Sequence, residues 1–377
     1  MNAKKLRNFI FSLHRYLGLL VGLILIVVGL TGSLLVFQHE IDQWAIEQQF
    51  GRVIPQQERV SLDVGINNVK KAYADRPELK ITGVNTLPKN NSYIVQLAAS
   101  PEKRIQVFVD PYTGKVLGSR QWESSIIGII FKLHYELLAG EKGQIVVGIA
   151  ALFLLVLSIT GILLWSGWRK LISGFKIKWN AHPKRTSYDI HKVAGIVTAV
   201  FLGLIAFTGF CWNFYDFAEP AIYAVTLSPK HPEPVSVPIA GKSMLGIGEI
   251  LKKAETALPG AATTYISLPG DPKGAFTIYK KQPQETNEYG DSAVYLDGYS
   301  GKVLYVKNGL KPSLGDRILN SFTPLHYGTF GGLPTRILYI FVGLAPLILS
   351  VTGFVMWWYR RRTKTQRPTD KPTIVNS

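Results

Sequence analysis

The chain has 377 residues, 47% of them hydrophobic, a formal net charge of +17 and one cysteine, Cys211. A single cysteine excludes disulfides, a four-cysteine iron–sulfur site and covalent CxxCH haem attachment. The charge would suit a nucleic-acid partner if it were spread over a soluble domain, but residues 1–15, 169–192 and 360–377 alone hold 17 of the 42 basic and 2 of the 25 acidic side chains, so that role loses its support and no nucleic acid is expected.

The first predicted element is the charge-free apolar run Leu17–Phe37. It is long enough to cross a hydrocarbon core as a helix. Although it follows basic residues, it exceeds the apolar core of a signal peptide and has no small-x-small cleavage site before Gln38, so it reads as a retained span. Beyond it, Leu62–Tyr73 has a helical pattern, and the segment VFVDPYTGKVL at 107–117 reads as a β-hairpin whose glycine supplies the positive φ of the turn. A short histidine-bearing segment then leads through Gly140 into the second span, Ile145–Trp168.

The same order returns in the second half. Val193–Tyr215 is the third span, Gly248–Leu258 a helix, VYLDGYSGKVL at 294–304 a second hairpin, and Ile337–Tyr359 the fourth span. Basic residues concentrated in short segments mark the cytoplasmic side, which places both termini there and the stretches 38–144 and 216–336 outside. The expected fold is an α-helical membrane protein with four transmembrane helices in two parallel repeats and two α+β extracytoplasmic domains. Its segments are a cytoplasmic N-terminus and first span at 1–37, an outer domain at 38–122, an interfacial helix and second span at 123–168, a cytoplasmic loop at 169–192, a third span at 193–215, an outer domain at 216–312, an interfacial segment and fourth span at 313–359, and a basic tail at 360–377.

Four of the seven histidines follow the repeat. His14 precedes Thr31-Gly32 by 17 residues and His191 precedes Thr208-Gly209 by 17; His134 precedes Thr160-Gly161 by 26 and His326 precedes Thr352-Gly353 by 26. Parallel repeats place equivalent residues at equal depth, so His14 and His191 belong at the inner membrane boundary and His134 and His326 at the outer one. Two imidazoles at one depth can clamp a haem between helices, and filling both axial positions favours electron transfer. With no CxxCH, any haem is b-type; the methionines Met1, Met244 and Met356 align with none of these histidines, which argues against His/Met ligation. Arg15 and its counterpart Lys192 are candidate partners for haem propionates or, alternatively, positive-inside anchors. The Thr-Gly pairs, with Gly18 and Gly195, either clear space for a macrocycle or pack helices. Trp165, Trp357 and Trp358 suit an interfacial belt, and His39 is a further candidate near the outer end of the first span. Each histidine alone could be structural; the set favours ligation.

With SLHRYLGL, DIHKVAGI, GLTGSLLVFQHEID, LHYELLAGEKG and the two D-x-x-T/S-G-K-V-L hairpins in this order, the chain resembles the PepSY-associated transmembrane family over nearly its whole length. It looks most like the PiuB/FoxB-type inner-membrane proteins. That resemblance implies PepSY-like outer domains, two bis-histidine haems b ligated by His14, His134, His191 and His326, and reduction of ferric siderophores on the periplasmic side. Some relatives carry a flavodoxin-like reductase extension. Only 18 residues follow Tyr359, so a separate electron donor, a reductase or quinol, is expected. Two other function classes are open: a non-enzymatic transporter or assembly factor for siderophore iron, and a PepSY sensory or protease-regulating protein on a membrane anchor.

Overall fold

Long apolar runs with few helix breakers force the backbone to satisfy its own hydrogen bonds, and in the computed structural model they form four long helices. The structure describes residues 2–87, 92–100, 103–287 and 289–365; the end of the expected basic tail lies outside them. The long helices are α1 (Ala3–Leu35), α5 (Gly140–Leu164), α7 (Pro183–Asn213) and α11 (Leu333–Thr365). Between them run α2 (Gln38–Phe50), α3 (Leu62–Ala72), strands β1 (Lys80–Asn85), β2 (Tyr93–Ser100), β3 (Lys103–Val109) and β4 (Val116–Gln121), then α4 (Ile126–Glu136). After α6 (Leu171–Phe175) and α7 come α8 (Tyr215–Val225), α9 (Ile247–Ala257), β5 (Ala262–Ser267), β6 (Phe276–Lys281), β7 (Ser292–Leu296), β8 (Val303–Lys307) and α10 (Leu314–Tyr327). Both halves thus carry one element order. Each of the four long helices is long and apolar enough to cross a membrane.

Two units make up the chain. In the helical unit, α1 packs on α5 and α11, and α7 packs on the same two helices. Hydroxyls inside these helices bond back to the carbonyl four residues earlier, as Ser33 does to Gly29 (3.1 Å) and Ser158 to Leu154 (2.9 Å), so these hydroxyls are not left bare in apolar surroundings. Arg336 of α11 donates to the Val36 carbonyl just past α1 (2.8 Å), and Gln144 of α5 donates to Asn213 at the end of α7 (3.4 Å). Each thereby meets a carbonyl orphaned at a helix C-terminus. At the start of α5 and just before α11 the chain breaks at Gly140 and Gly332, with φ of 59° and 67°, so a short helix and a glycine break precede the long helix in both halves.

The second unit, Gln38–Ile129 with Glu219–Ser321, holds an antiparallel sheet. The sequence predicts a small sheet in each half; both form, but they join into one eight-stranded sheet of order β4-β3-β2-β1-β5-β6-β7-β8. The join is antiparallel, with Gly83 opposite Ser267, Val84 opposite Ile266 and Asn85 opposite Tyr265. A Cβ at Gly83 would collide with the Tyr265 ring, which crosses the junction there. Left apart, β1 and β5 would each expose a row of unpaired backbone groups; pairing removes both edges. One core follows from the join: Val69, Val84, Val95 and Val107 from the first half pack with Ile250, Ile266, Ile278 and Val294 from the second, all fully buried. At about 1.5–3 kcal/mol per buried aliphatic side chain, this shared core binds the halves as one domain. The two outer segments are therefore not independent domains.

Both hairpin motifs are turns. Asp110 Oδ1 accepts from the backbone of Tyr112 (2.8 Å) and Thr113 (3.3 Å), Asp297 Oδ1 from Tyr299 (3.0 Å) and Ser300 (2.8 Å), and Gly114 and Gly301 take φ of 70° and 68°. Asp297 also accepts from Val237 N (2.7 Å). Elsewhere in this unit, Asp316 at the start of α10 gathers His231 Nε2 (2.6 Å), Tyr223 Oη (2.9 Å) and Ser313 Oγ (2.7 Å). Burial pushes each carboxyl up, but the hydrogen bonds it accepts outweigh that and hold Asp297 and Asp316 down to about 2. Because these pKa values lie below that of an unfolded aspartate, the stability they add is complete above about pH 4 and is lost as pH falls toward 2. Acid titration of the folded protein should lose about 2 kcal/mol for each carboxyl over that window, and Asp316→Asn with Asp297→Asn should flatten the loss.

Candidate functional site

The four repeated histidines come together as two pairs in the helical unit. The rings of His14 and His191 stand 6.2 Å apart, centroid to centroid, at 82° to each other, and those of His134 and His326 stand 6.2 Å apart at 79°. Each pair draws one histidine from each half. His14 sits on α1 and His191 on α7, while His134 and His326 lie near the C-terminal ends of α4 and α10.

The seat of each ring explains the Thr-Gly pairs. His14 Nδ1 meets Thr160 Oγ1 (2.8 Å), His134 Nδ1 meets Thr31 (3.2 Å), His191 Nδ1 meets Thr352 (3.0 Å) and His326 Nδ1 meets Thr208 (2.8 Å). Each threonine hydroxyl also donates to its own helix, to Val156 O (2.7 Å), Val27 O (2.7 Å), Ile348 O (2.6 Å) and Leu204 O (2.9 Å) respectively. With its one proton so engaged, the hydroxyl can only accept from the imidazole. For two of the rings the carbonyl three residues before the threonine is a second acceptor for the same nitrogen: Val28 (2.9 Å) for His134 and Leu349 (3.1 Å) for His191. The network therefore assigns the proton to Nδ1 in all four rings. It leaves Nε2 as the bare nitrogen, and among the described residues that nitrogen has no hydrogen-bond partner in any of the four.

The glycine beside the threonine makes room for the ring at Gly32 and Gly209, while at Gly161 and Gly353 an added Cβ would make ordinary contact with it. A Cβ at Gly32 would lie 2.9 Å from His134 Cε1, at Gly209 3.2 Å from His326 Cε1, at Gly161 3.4 Å from His14 Cε1 and at Gly353 3.6 Å from His191 Cε1. The Thr-Gly pair thus lies against an imidazole in all four places. Gly18 and Gly195 make only ordinary contacts, with Leu157 and Leu349 at 3.8 and 3.7 Å.

A bond from imidazole nitrogen to a metal is about 2 Å, so two ring centroids facing each other across one metal ion stand roughly 6 Å apart. Among the described residues no cluster of three or more His, Cys, Asp or Glu side chains could hold a bare ion. Two imidazoles with bare Nε2 and no further protein ligand fit the axial positions of a metal whose remaining ligands come from a macrocycle. Since Thr31, the seat of His134, and His14 lie 17 residues apart on α1, the two pairs are separated by about 26 Å of helix rise.

The two basic candidates differ. Arg15 has its guanidinium 4.5 Å from the Tyr16 ring, and its Nε is buried without a hydrogen-bond partner. Lys192 is no free cation: its ammonium donates to Ser173 O (2.9 Å), Lys176 O (3.0 Å) and Asp189 Oδ1 (2.8 Å), which takes up all three donors. The propionate role expected for Lys192 therefore gives way to pinning the loop after α5. Sequence reasoning missed Trp212, whose ring lies 4.8 Å from His326; its repeat counterpart is Leu35, so no repeat signal marked it. Of the remaining histidines, His39 lies beside Tyr289 (3.5 Å), His182 caps the start of α7 and His231 belongs to the Asp316 cluster.

No curated protein matches the chain. The pattern of the family described as PepSY-associated TM region matches residues 11–360, a stretch that includes all four seated histidines and both hairpins. The chain belongs to the PepSY-associated transmembrane family.

Proposed function

We propose that this chain is an inner-membrane oxidoreductase of the PiuB/FoxB type, which holds two b-type haems and passes electrons from a donor at the cytoplasmic face, a reductase or quinol, to a ferric siderophore at the periplasmic face. The observation that carries the reading is the hydrogen-bond pattern of four imidazoles in two pairs with ring centroids 6.2 Å apart, each with Nδ1 against acceptors and Nε2 without a partner among the described residues. A structural histidine needs no such uniform tautomer; a metal ligand does.

His14 and His191 would hold one haem and His134 and His326 the other, with Thr160, Thr352, Thr31 and Thr208 fixing the ring orientation. Arg15, with its unpartnered buried Nε, would receive a propionate. Haem b supplies reversible one-electron storage when bound. With an imidazole from each half holding it, the group would be closed to substrate at its metal and suited to electron transfer. Orientation rests on the basic segments 1–15 and 169–192, which belong on the cytoplasmic side. Both termini then lie inside and the sheet unit outside, where a chelate would dock. Reduction weakens the hold of a hard-oxygen chelator, because Fe²⁺ is the softer and less charged ion.

Transport or assembly without redox chemistry is less well supported, since the apolar runs 17–37, 145–168, 193–215 and 337–359 contain no Asp, Glu, Lys or Arg for a proton-coupled relay. A sensory or protease-regulating role leaves the four imidazole seats without a purpose. In sealed vesicles of known orientation, chemically reduced protein should be re-oxidised when a ferric siderophore is added on the periplasmic side, with a ferrous chelator trapping the iron there. A reduced spectrum that ferric chelates leave unchanged, but a quinone or another periplasmic oxidant restores, would keep electron transfer and remove the siderophore.

A further inference from the structure

The loop between α5 and α7 is folded tightly and yet turns its large apolar side chains outward. Its centre is Trp165, 8% exposed, which is not an interfacial belt residue. Gly167 and Gly174 pack flat on the indole, where any Cβ would collide with it. Lys192 and Asp189 hold the loop from the α7 side: the lysine binds Ser173 O and Lys176 O, and Asp189 Oδ2 accepts from Lys178 N (3.3 Å) and Arg185 Nε (3.1 Å). Thr186 Oγ1 adds bonds to Lys178 O (3.1 Å) and Ala181 O (3.2 Å). Despite this bracing, Trp168, Leu171, Ile172 and Trp179 are 64–79% exposed. Arg169, Lys170, Lys176 and Lys178 alternate with them, all exposed.

We infer that residues 168–179 form a preorganised docking surface for anionic phospholipid, seating apolar side chains among the acyl chains and four cations at the headgroups. A braced loop cannot fold its apolar groups away, so water or lipid must cover them, and exposure on this scale marks an interaction site. The segment continues directly from a membrane-spanning helix that ends at Trp168, so the covering medium at hand is the bilayer surface. Aromatic and basic residues at a helix end suit that interface, and the cations select negatively charged headgroups. The inference does not depend on any cofactor.

The single cysteine permits a direct test on the full chain. A spin label at Ile172→Cys, in a Cys211→Ala background, is measured in bilayers of phosphatidylcholine with and without phosphatidylglycerol. Relaxation by lipid-soluble oxygen should exceed that by an aqueous nickel chelate. Retention of phosphatidylglycerol over phosphatidylcholine by the purified protein should fall by about twofold or more when Arg169, Lys170, Lys176 and Lys178 are all changed to Gln. Should the labelled chain fail to fold, quenching by brominated lipids that is diminished in Trp168→Phe/Trp179→Phe reads the same contact. A label relaxed chiefly by the aqueous reagent, or undiminished quenching in the double variant, would overturn the lipid contact and leave the surface to a soluble partner. Equal lipid retention in the parent and the four-glutamine variant would overturn the anionic selectivity.

Discussion

Replacing His134 or His326 by Ala is expected to lower haem content from two per chain to one, with the remaining haem showing an unperturbed low-spin spectrum. Replacing His14 or His191 should remove the other. Each pair has 6.2 Å between ring centroids and, among the described residues, no third protein ligand, so loss of one imidazole would leave a haem held by one histidine. The two pairs share no side chain and are separated by about 26 Å along α1, which makes the losses independent. Changing a seat is milder. In Thr31→Val, His134 Nδ1 keeps the Val28 carbonyl at 2.9 Å, so both haems stay but one transfers to an acceptor globin about tenfold faster. The haem-to-protein ratio of each variant, by pyridine haemochrome assay, checks the pattern.

Gly29→Ala is expected to destabilise the helical unit by about 1–3 kcal/mol, although it adds a single methyl group. A Cβ at Gly29 would lie 2.5 Å from the Gly343 carbonyl oxygen and 3.1 Å from Pro346 Cγ. Backbone carbonyl and proline ring cannot rotate away, so α1 and α11 must separate. Separation also stretches the bond from Ser33 Oγ to Ile340 O, now 3.0 Å. Small residues carry helix–helix contacts in membranes because close approach there replaces the hydrophobic drive that lipid does not supply. Gly18→Ala is the matched control, since its Cβ would meet only Leu157 Cδ2 at 3.8 Å. Thermal aggregation in detergent should shift down by several degrees for the first variant and stay unchanged for the second.

The spans and the histidine repeat were legible because hydropathy and spacing are local properties of the chain. The 17- and 26-residue intervals stand in the sequence, and they led to the two histidine pairs. The threonines stood there too, but their part in setting the tautomer depends on a hydroxyl whose proton already serves the carbonyl four residues back, a three-body arrangement that spacing alone does not reveal. The partners of Lys192, Ser173 O and Lys176 O, were not legible because they are backbone atoms of a loop whose path no pattern announces. Trp165 looked like a belt residue, and only Gly167 and Gly174 closing over its ring make it the core of that loop. The merged sheet was hidden for another reason. Strand patterns report which face is buried, not which edge is paired, and only the hairpins at 107–117 and 294–304 were legible, not β1 and β5, which make the join. Helix α2 lacked the apolar stripe that would have marked it, and α8 carries Pro220 inside.

The central claim is that four Nε2 atoms, left bare in two facing pairs, are axial ligands. Its most direct measurement is the visible spectrum and haem stoichiometry of the full chain purified from cells supplied with haem. The account predicts two acid–acetone-extractable haems per chain and a low-spin spectrum in both redox states. A colourless preparation that remains folded, or wild-type haem content after all four histidines are changed to Ala, would contradict it.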